Sequence, residues 1–303
     1  MSVIRGAQMR VTQHSIASQT LSGLQMNLGR LGDLQQRISS GREISRPSDS
    51  PTGTVAAMQF RSEIRTNEQW SRNAADGIGW LGTIDQTLTS SLDSARRARD
   101  LTLQGLNSGA ATSGSREAIA AELDQLRAGL VGLANTRYLD RPVFGGTMNG
   151  TQAYAPAGTY LGPASSLPVN RTVGASATVR VDQTGPEVFG PDGANLFDAL
   201  ESAAASLRAN DMTALRADLG ALDTAMLRVQ GKLSEVGANY NRVQQMARSA
   251  DDRIISLKSS LSEVEDIDLP RTIVDLQMQQ VAYEAALGAA QRIVTPSLAD
   301  FLR

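Results

Sequence analysis

The amino-acid sequence predicts a mainly α fold with a small β insertion. Its N- and C-terminal segments would pair as a long antiparallel helical bundle or coiled coil, with a β-rich domain inserted between the helical halves. Three observations predict this. From Leu215 to Val264 the apolar positions alternate at spacings of three and four without a miss, an a/d heptad seam. Shorter runs with the same spacing stand near both ends of the chain. Between 141 and 195 proline and glycine crowd together, and short β-prone runs replace the helical pattern.

Taken in order, Ala17, Leu21, Leu24, Leu28, Leu31 and Ile38 lay one seam along an N-terminal helix, with Gln35 as its polar member. The run Ser45-Arg46-Pro47-Ser48-Asp49-Ser50-Pro51 stops that helix, because proline lacks the amide proton and clashes with the preceding turn. Residues 53–107 read as helix with a less regular seam that carries Gly77, Gly79 and Gly82. Ile119, Leu123, Leu126, Leu130 and Leu133 mark a further helix. Six of the ten prolines and nine glycines then fall between 141 and 195, around the β-prone Thr172-Val173 and Ala177 to Val181. Helix resumes at Leu196, and the segment 212–264 would be roughly 80 Å long at the α-helical rise. Such a helix needs other long helices beside it. A five-residue jump from Val264 to Leu269, with Pro270 in the next first turn, separates it from a last helix. The final seam is Leu269, Ile273, Leu276, Tyr283, Leu287, Ala290 and Val294, with Gln280 as its polar member. The expected domains are 1–44 and 265–303 as terminal coiled-coil segments, 45–140 and 196–264 as the two halves of a helical domain, and 141–195 as the insertion.

Composition excludes much chemistry. The 303 residues carry 29 Lys and Arg against 31 Asp and Glu, so no global field draws the chain to nucleic acid or an anionic membrane. All the cations but Lys232 and Lys258 are arginine. Cysteine is absent and His14 is the single histidine, which removes thiol nucleophiles, disulfides and histidine-rich metal sites. Aromatics are 4%, scarce for a ligand pocket. The N-terminal residues lack the apolar region of a secretory signal, and no stretch approaches the length of a membrane span. No enzyme, no cofactor and no small-molecule substrate are expected.

Individual motifs read the same way. Gly77-Ile78-Gly79-Trp80-Leu81-Gly82 matches a dinucleotide fingerprint, but helix rather than strand precedes it, which favours close helix packing. His14 has no nucleophile near it in sequence. Arg96, Arg97 and Arg99 lack interleaved aromatics and read as a charged helix face or an interface. Glu263, Glu265, Asp266 and Asp268 are acidic enough for calcium but are not spaced as an EF-hand loop, and a helix boundary accounts for them.

The residues then point to a family. Arg37-Ile38-Ser39-Ser40-Gly41-Arg42-Glu43-Ile44-Ser45-Arg46-Pro47-Ser48-Asp49 closely resembles the N-terminal flagellin signature. Arg72 to Ile78 is similar to the flagellin asparagine–aspartate–glycine segment, and Arg97-Ala98-Arg99-Asp100-Leu101 to its arginine-rich helix. At the other end, Ser262 to Asp268 and Ser297 to Leu302 resemble the opening and closing of the flagellin C-terminal helix. Pro47 and Pro51, the stretch from Leu133 to Thr147 and the total length shift the resemblance toward members that join hook to filament. A flagellin-type filament subunit is the alternative. A soluble coiled-coil binding protein, with a ligand site in its insertion, is the rival from another class.

The resemblance implies termini that are unfolded in the isolated subunit and form the inner coiled-coil layer of an axial tube. It implies an outward-facing insertion and export through the flagellar type III apparatus to a secreted, extracellular location. The implied partners are further copies in a ring, a second junction protein, flagellin and an export chaperone. Assembly would then fall to Leu21, Leu24, Leu28, Leu31, Ile38, Ile273, Leu276, Leu287 and Val294.

Overall fold

The computed structural model describes residues 3–107, 112–163 and 165–299, and side chains at 15, 18–107, 112–163, 165–291. It is mainly α with a small β insertion, and divides into two compact units. One comprises Met1–Ile64 with Ile255–Arg303, the other Arg65–Ile254. The two long helices α2 (Pro51–Asn107) and α6 (Met212–Glu265) contribute to both.

In the terminal unit, α1 (Val3–Ser40) packs against α7 (Leu269–Ala299). Helix α1 stops where Gly41 takes φ 69°, the left-handed conformation that closes a helix C-terminus without a Cβ clash. Asp49 then accepts the amides of Ser45 at 3.1 Å and Arg46 at 2.8 Å, and Pro51 opens α2. Those backbone hydrogen bonds hold the Asp49 carboxyl below its ordinary value. On the return path, the Asp268 carboxylate accepts the amide of Arg271 at 3.2 Å and starts α7. The two connectors meet. Glu43 N donates to Glu265 O at 2.7 Å, and Ile267 N donates to Gly41 O at 3.2 Å.

In the other unit, α6 buries Leu215, Leu222, Val229, Val236, Val243 and Ala250, one every seven residues as the heptad predicts. Facing elements supply Leu81, Ile84, Leu88, Ala95 and Ala98 from α2, and Leu123 and Leu130 from α3 (Ser113–Ala134). Leu200 and Leu207 of α5 (Leu196–Ala209) join the same core, and α5 packs on α3. Arginine pairs pin the layers: Arg97 to Glu122 at 2.7 Å, Arg99 to Asp223 at 2.5 Å and Arg208 to Asp124 at 2.7 Å. These groups stay largely in water, so each pair adds little stability and mainly favours one alignment. The basic cluster on α2 is thus a charged helix face.

The insertion contains little regular strand. Strands β1 (Arg137–Tyr138) and β2 (Arg141–Pro142) form one hairpin, and β3 (Asn170–Thr172) pairs antiparallel with β4 (Thr178–Arg180). A short α4 (Gly185–Phe189) follows. Its core is aromatic, with Tyr154 and Phe197 rings 5.0 Å apart and Phe144 and Phe189 5.2 Å apart. Arg180 clamps it, reaching Asp182 at 2.9 Å and holding Glu187 through both guanidinium nitrogens. The glycine run lies inside α2. A Cβ at Gly79 would stand 2.8 Å from Cζ of Tyr138, whose ring packs edge-on against Trp80 at 5.5 Å. Gly79 lets the β1–β2 hairpin sit on the helix, whereas Gly77 faces Val181 and Gly82 faces Tyr240, and no strand precedes the run.

Candidate assembly interface

The α1–α7 pair runs antiparallel, since Gly41 meets Ile267 at its base while Gln279 Nε2 lies 3.3 Å from both O and Oδ1 of Asn27. The half-buried positions of α1 are Thr20, Leu24, Asn27, Leu31, Leu34 and Ile38, with Gly23 and Arg37 beside them. Those of α7 are Thr272, Leu276, Gln279, Tyr283, Ala286 and Ala290. Both main sets alternate four and three, so each is a heptad seam.

These seams share only half their members with the expected ones. Leu24, Leu31 and Ile38 on α1, and Leu276, Tyr283 and Ala290 on α7, stand where the sequence puts them. The intervening positions are displaced by one residue. Thr20, Asn27 and Leu34 replace Leu21, Leu28 and Gln35, while Thr272, Gln279 and Ala286 replace Ile273, Gln280 and Leu287. One residue is about 100° of helix rotation, so the displaced members turn out of the contact. Leu21 is 61% exposed, Leu28 53%, Ile273 40% and Leu287 38%.

Residues rotated the same way from the seam of an antiparallel pair fall on the same face of the two-helix ribbon. The Asn27–Gln279 contact sets the level, so Leu21 lies beside Leu287, and Leu28 beside Gln280. Ile273 and exposed Leu269 continue that face toward the base. The nine expected residues therefore divide. Leu24, Leu31, Ile38 and Leu276 fill the intramolecular seam, whereas Leu21, Leu28, Ile273 and Leu287 form an apolar face in water. Val294 belongs to α7, and its side chain lies outside the described residues; so does that of His14.

The sequence reading passed over a second surface. Val274, Met278 and Val281, exposed by 56%, 63% and 66%, follow another four–three spacing on the side of α7 away from that face. That spacing was available as a signal, but the stronger leucine seam hid it. With this third stripe, α7 carries apolar residues on three sides, separated by Arg271, Asp275, Gln277 and Glu284.

Charge adds direction. Residues 1–64 carry seven arginines against four carboxylates, and residues 255–303 carry four cations against seven carboxylates. At the base of the pair, Glu265 is buried and takes Arg42 at 3.0 Å together with Arg61 of α2. Asp266 accepts the Ser262 hydroxyl at 2.5 Å. The acidic cluster is thus occupied by helix-boundary work, and among the described residues no three metal-ligating side chains gather. Nor is any described helix long and apolar enough to cross a membrane. The arrangement is suited to docking other helices.

Comparison with known proteins finds flagellar relatives. Residues 11–146 match the family model described as the bacterial flagellin N-terminal helical region. Flagellin of Bacillus subtilis (strain 168) is 24% identical over 294 residues, covering 92% of this chain and 94% of that protein. Flagellar hook-associated protein 3 of Escherichia coli (strain K12) is 24% identical over 306 residues, covering 93% of this chain and 96% of that protein. The crystal structure of Bacillus cereus FlgL superposes with a TM-score of 0.59 at 24% identity, over 69% of this chain and all of that one, and shares the fold.

Proposed function

We propose for this flagellin-like chain a structural and not a catalytic role in the bacterial flagellum: a hook–filament junction subunit of the hook-associated protein 3 kind. In this reading the chain assembles as a ring and adapts the hook to the flagellin filament. One observation carries it. Leu21, Leu28, Ile273 and Leu287 stand in water on one face of the α1–α7 pair, an apolar face suited to a neighbouring helix. Leu24, Leu31, Ile38 and Leu276 would set the ribbon's internal register, and Val294 would extend the contact. Charge of opposite sign on the two arms favours a basic N-terminal arm against the acidic C-terminal arm of the next copy.

The other partners follow from the role: a second junction protein on the hook side, flagellin on the filament side, an export chaperone and the type III export apparatus. The domain layout would be functional, with 1–44 and 265–303 as inner layer, 45–140 and 196–264 as the layer around it, and 141–195 outermost. The similarity to Bacillus subtilis flagellin favours a second reading, a filament subunit. Deletion of the gene followed by electron microscopy separates the two. The junction role yields bare hooks with flagellin shed into the medium. Loss of the major filament protein itself would support the second reading, and normal filaments would refute both.

A further inference from the structure

The two-residue loop of the β1–β2 hairpin is occupied by Leu139 and Asp140, with φ of 46° and 62°. Both lie in the left-handed region, where such loops favour Asn-Gly because a branched side chain there is strained. Leu139 is 72% exposed at the apex and Asp140 is almost wholly in water. Arg137 and Arg141 flank them on exposed positions. Beneath, Tyr138 packs on Trp80 and anchors the hairpin to α2. A strained turn thus presents an exposed leucine beside the Asp140 carboxylate, which Arg137 holds at 3.3 Å, and the Arg141 guanidinium.

The same unit carries a groove of about 370 Å³ between α5 and α6. Ala199, Ala221 and Ala225 form its apolar wall. At one end lies Asp218, 8% exposed, whose carboxylate is held at 2.7 Å by each of the Ser202 and Ser206 hydroxyls and has no cationic partner among the described residues. Arg228 lies ten residues along α6, about 15 Å away at the helical rise, and its contact is a long one of 3.5 Å to Phe189 O. Asp198 lines the groove as well. Hairpin and groove are complementary. Leucine meets alanine, the exposed outer side of the Asp140 carboxylate meets Arg228, and Arg141 meets Asp198.

We propose that the Leu139 hairpin of one copy docks into the α5–α6 groove of a second copy. The contact lies outside the terminal helices, and it rests on the self-assembly reading above. Because knob and groove are different surfaces, the contact is head-to-tail and repeats from copy to copy.

The absence of cysteine makes the test clean. Full-length Leu139→Cys and Ala221→Cys chains are mixed under mild oxidation, at a concentration where light scattering reports oligomers. Leu167→Cys, at 81% exposure, serves as the control partner. The Leu139 pair should cross-link at least several-fold faster than the control pair. Arg228→Asp should suppress that excess, and Asp140→Arg on the hairpin copy should restore it. Leu139→Gly supplies an independent sign. It relieves the turn and should raise Tm by about 2–4 °C, yet weaken self-association. Oligomers that depend on Leu28 but cross-link Leu139 no faster than the control overturn the docking contact alone. If no oligomers form at any concentration, the contact and the assembly reading fall together. A Leu139→Gly chain that gains stability and associates normally would also overturn the contact.

Discussion

Substituting Leu28 with aspartate separates a residue of the outer face from one of the inner seam. In the single chain Leu28 leaves 53% of its surface in water. Full burial of a leucine is worth about 1.5–3 kcal/mol, so about 1 kcal/mol of that is available only to a partner helix. Leu28→Asp forfeits this contribution and adds about 1–3 kcal/mol for a polar group left without a partner at the contact. The combined cost of about 2–4 kcal/mol corresponds to roughly a 30- to 1000-fold loss of association per interface. Within the subunit the buried half of the side chain accounts for only about 1 kcal/mol. Far-UV circular dichroism should therefore stay close to wild type, while sedimentation velocity shows the oligomer lost and filaments fail to attach. The comparison is Leu24→Asp, which sets a carboxylate into the seam against α7 and should reduce helicity directly. The reasoning is refuted if Leu28→Asp melts the helix as fully as Leu24→Asp, or if its self-association stays within twofold of wild type.

Other expectations concern the unit built on residues 65–254. Gly79→Ala drives a methyl group into the Tyr138 ring and should cost about 1–3 kcal/mol, read from the urea midpoint, with partial recovery in Tyr138→Ala. Burial pushes the Glu187 carboxyl up, but hydrogen bonds from Arg180 and the Thr184 amide outweigh it and leave its pKa below the ordinary 4.5. With the folded value depressed, the stability Glu187 contributes is present above the unfolded pKa and is lost as pH falls through the lower folded one. Thermal melts should therefore lose stability below about pH 4, and Glu187→Gln should flatten that acid limb. A Gln variant with an unchanged acid limb would place the loss on other carboxylates.

How much of this was legible beforehand depended on whether a helix had one apolar stripe or several. On α6 the heptad fixed the buried face, and Leu215 to Ala250 are buried every seventh residue as read, although Asp218 and Ala225 are buried where the spacing puts the half-buried Leu219 and Met226. The turns at Pro47 to Pro51 and at Asp268 to Pro270 were legible because proline and capping carboxylates act locally. The termini were not fully legible. On α1 two seams share Leu24, Leu31 and Ile38 and differ by one residue in between, and hydrophobicity favours Leu21 and Leu28 over Thr20 and Asn27. The fold takes the more polar pair, because Gln279 can then hydrogen-bond Asn27 across the contact. That choice depends on α7, some 250 residues distant in sequence, so no local rule registers it. Helix α4 was missed for a simpler reason. Its five residues are too few for any periodicity, and its available cues were the capping box of Thr184 and Glu187 and Pro186 in the first turn.

The bridge between Gly145 and Thr184 brings the two ends of the insertion together. Lengthening a loop whose ends already meet changes its closure entropy only slowly. A chain that must grow, acquire a decoration or accept an engineered tag can do so at exposed Gly150 or Thr151 without disturbing the helices. Helix α6 offers no such freedom. Adding one residue to it would rotate every later layer by about 100° and turn Val243 and Ala250 from the core into water. Change in length is thus confined by geometry to one side of the molecule, and lineages that diverge in size should diverge there first.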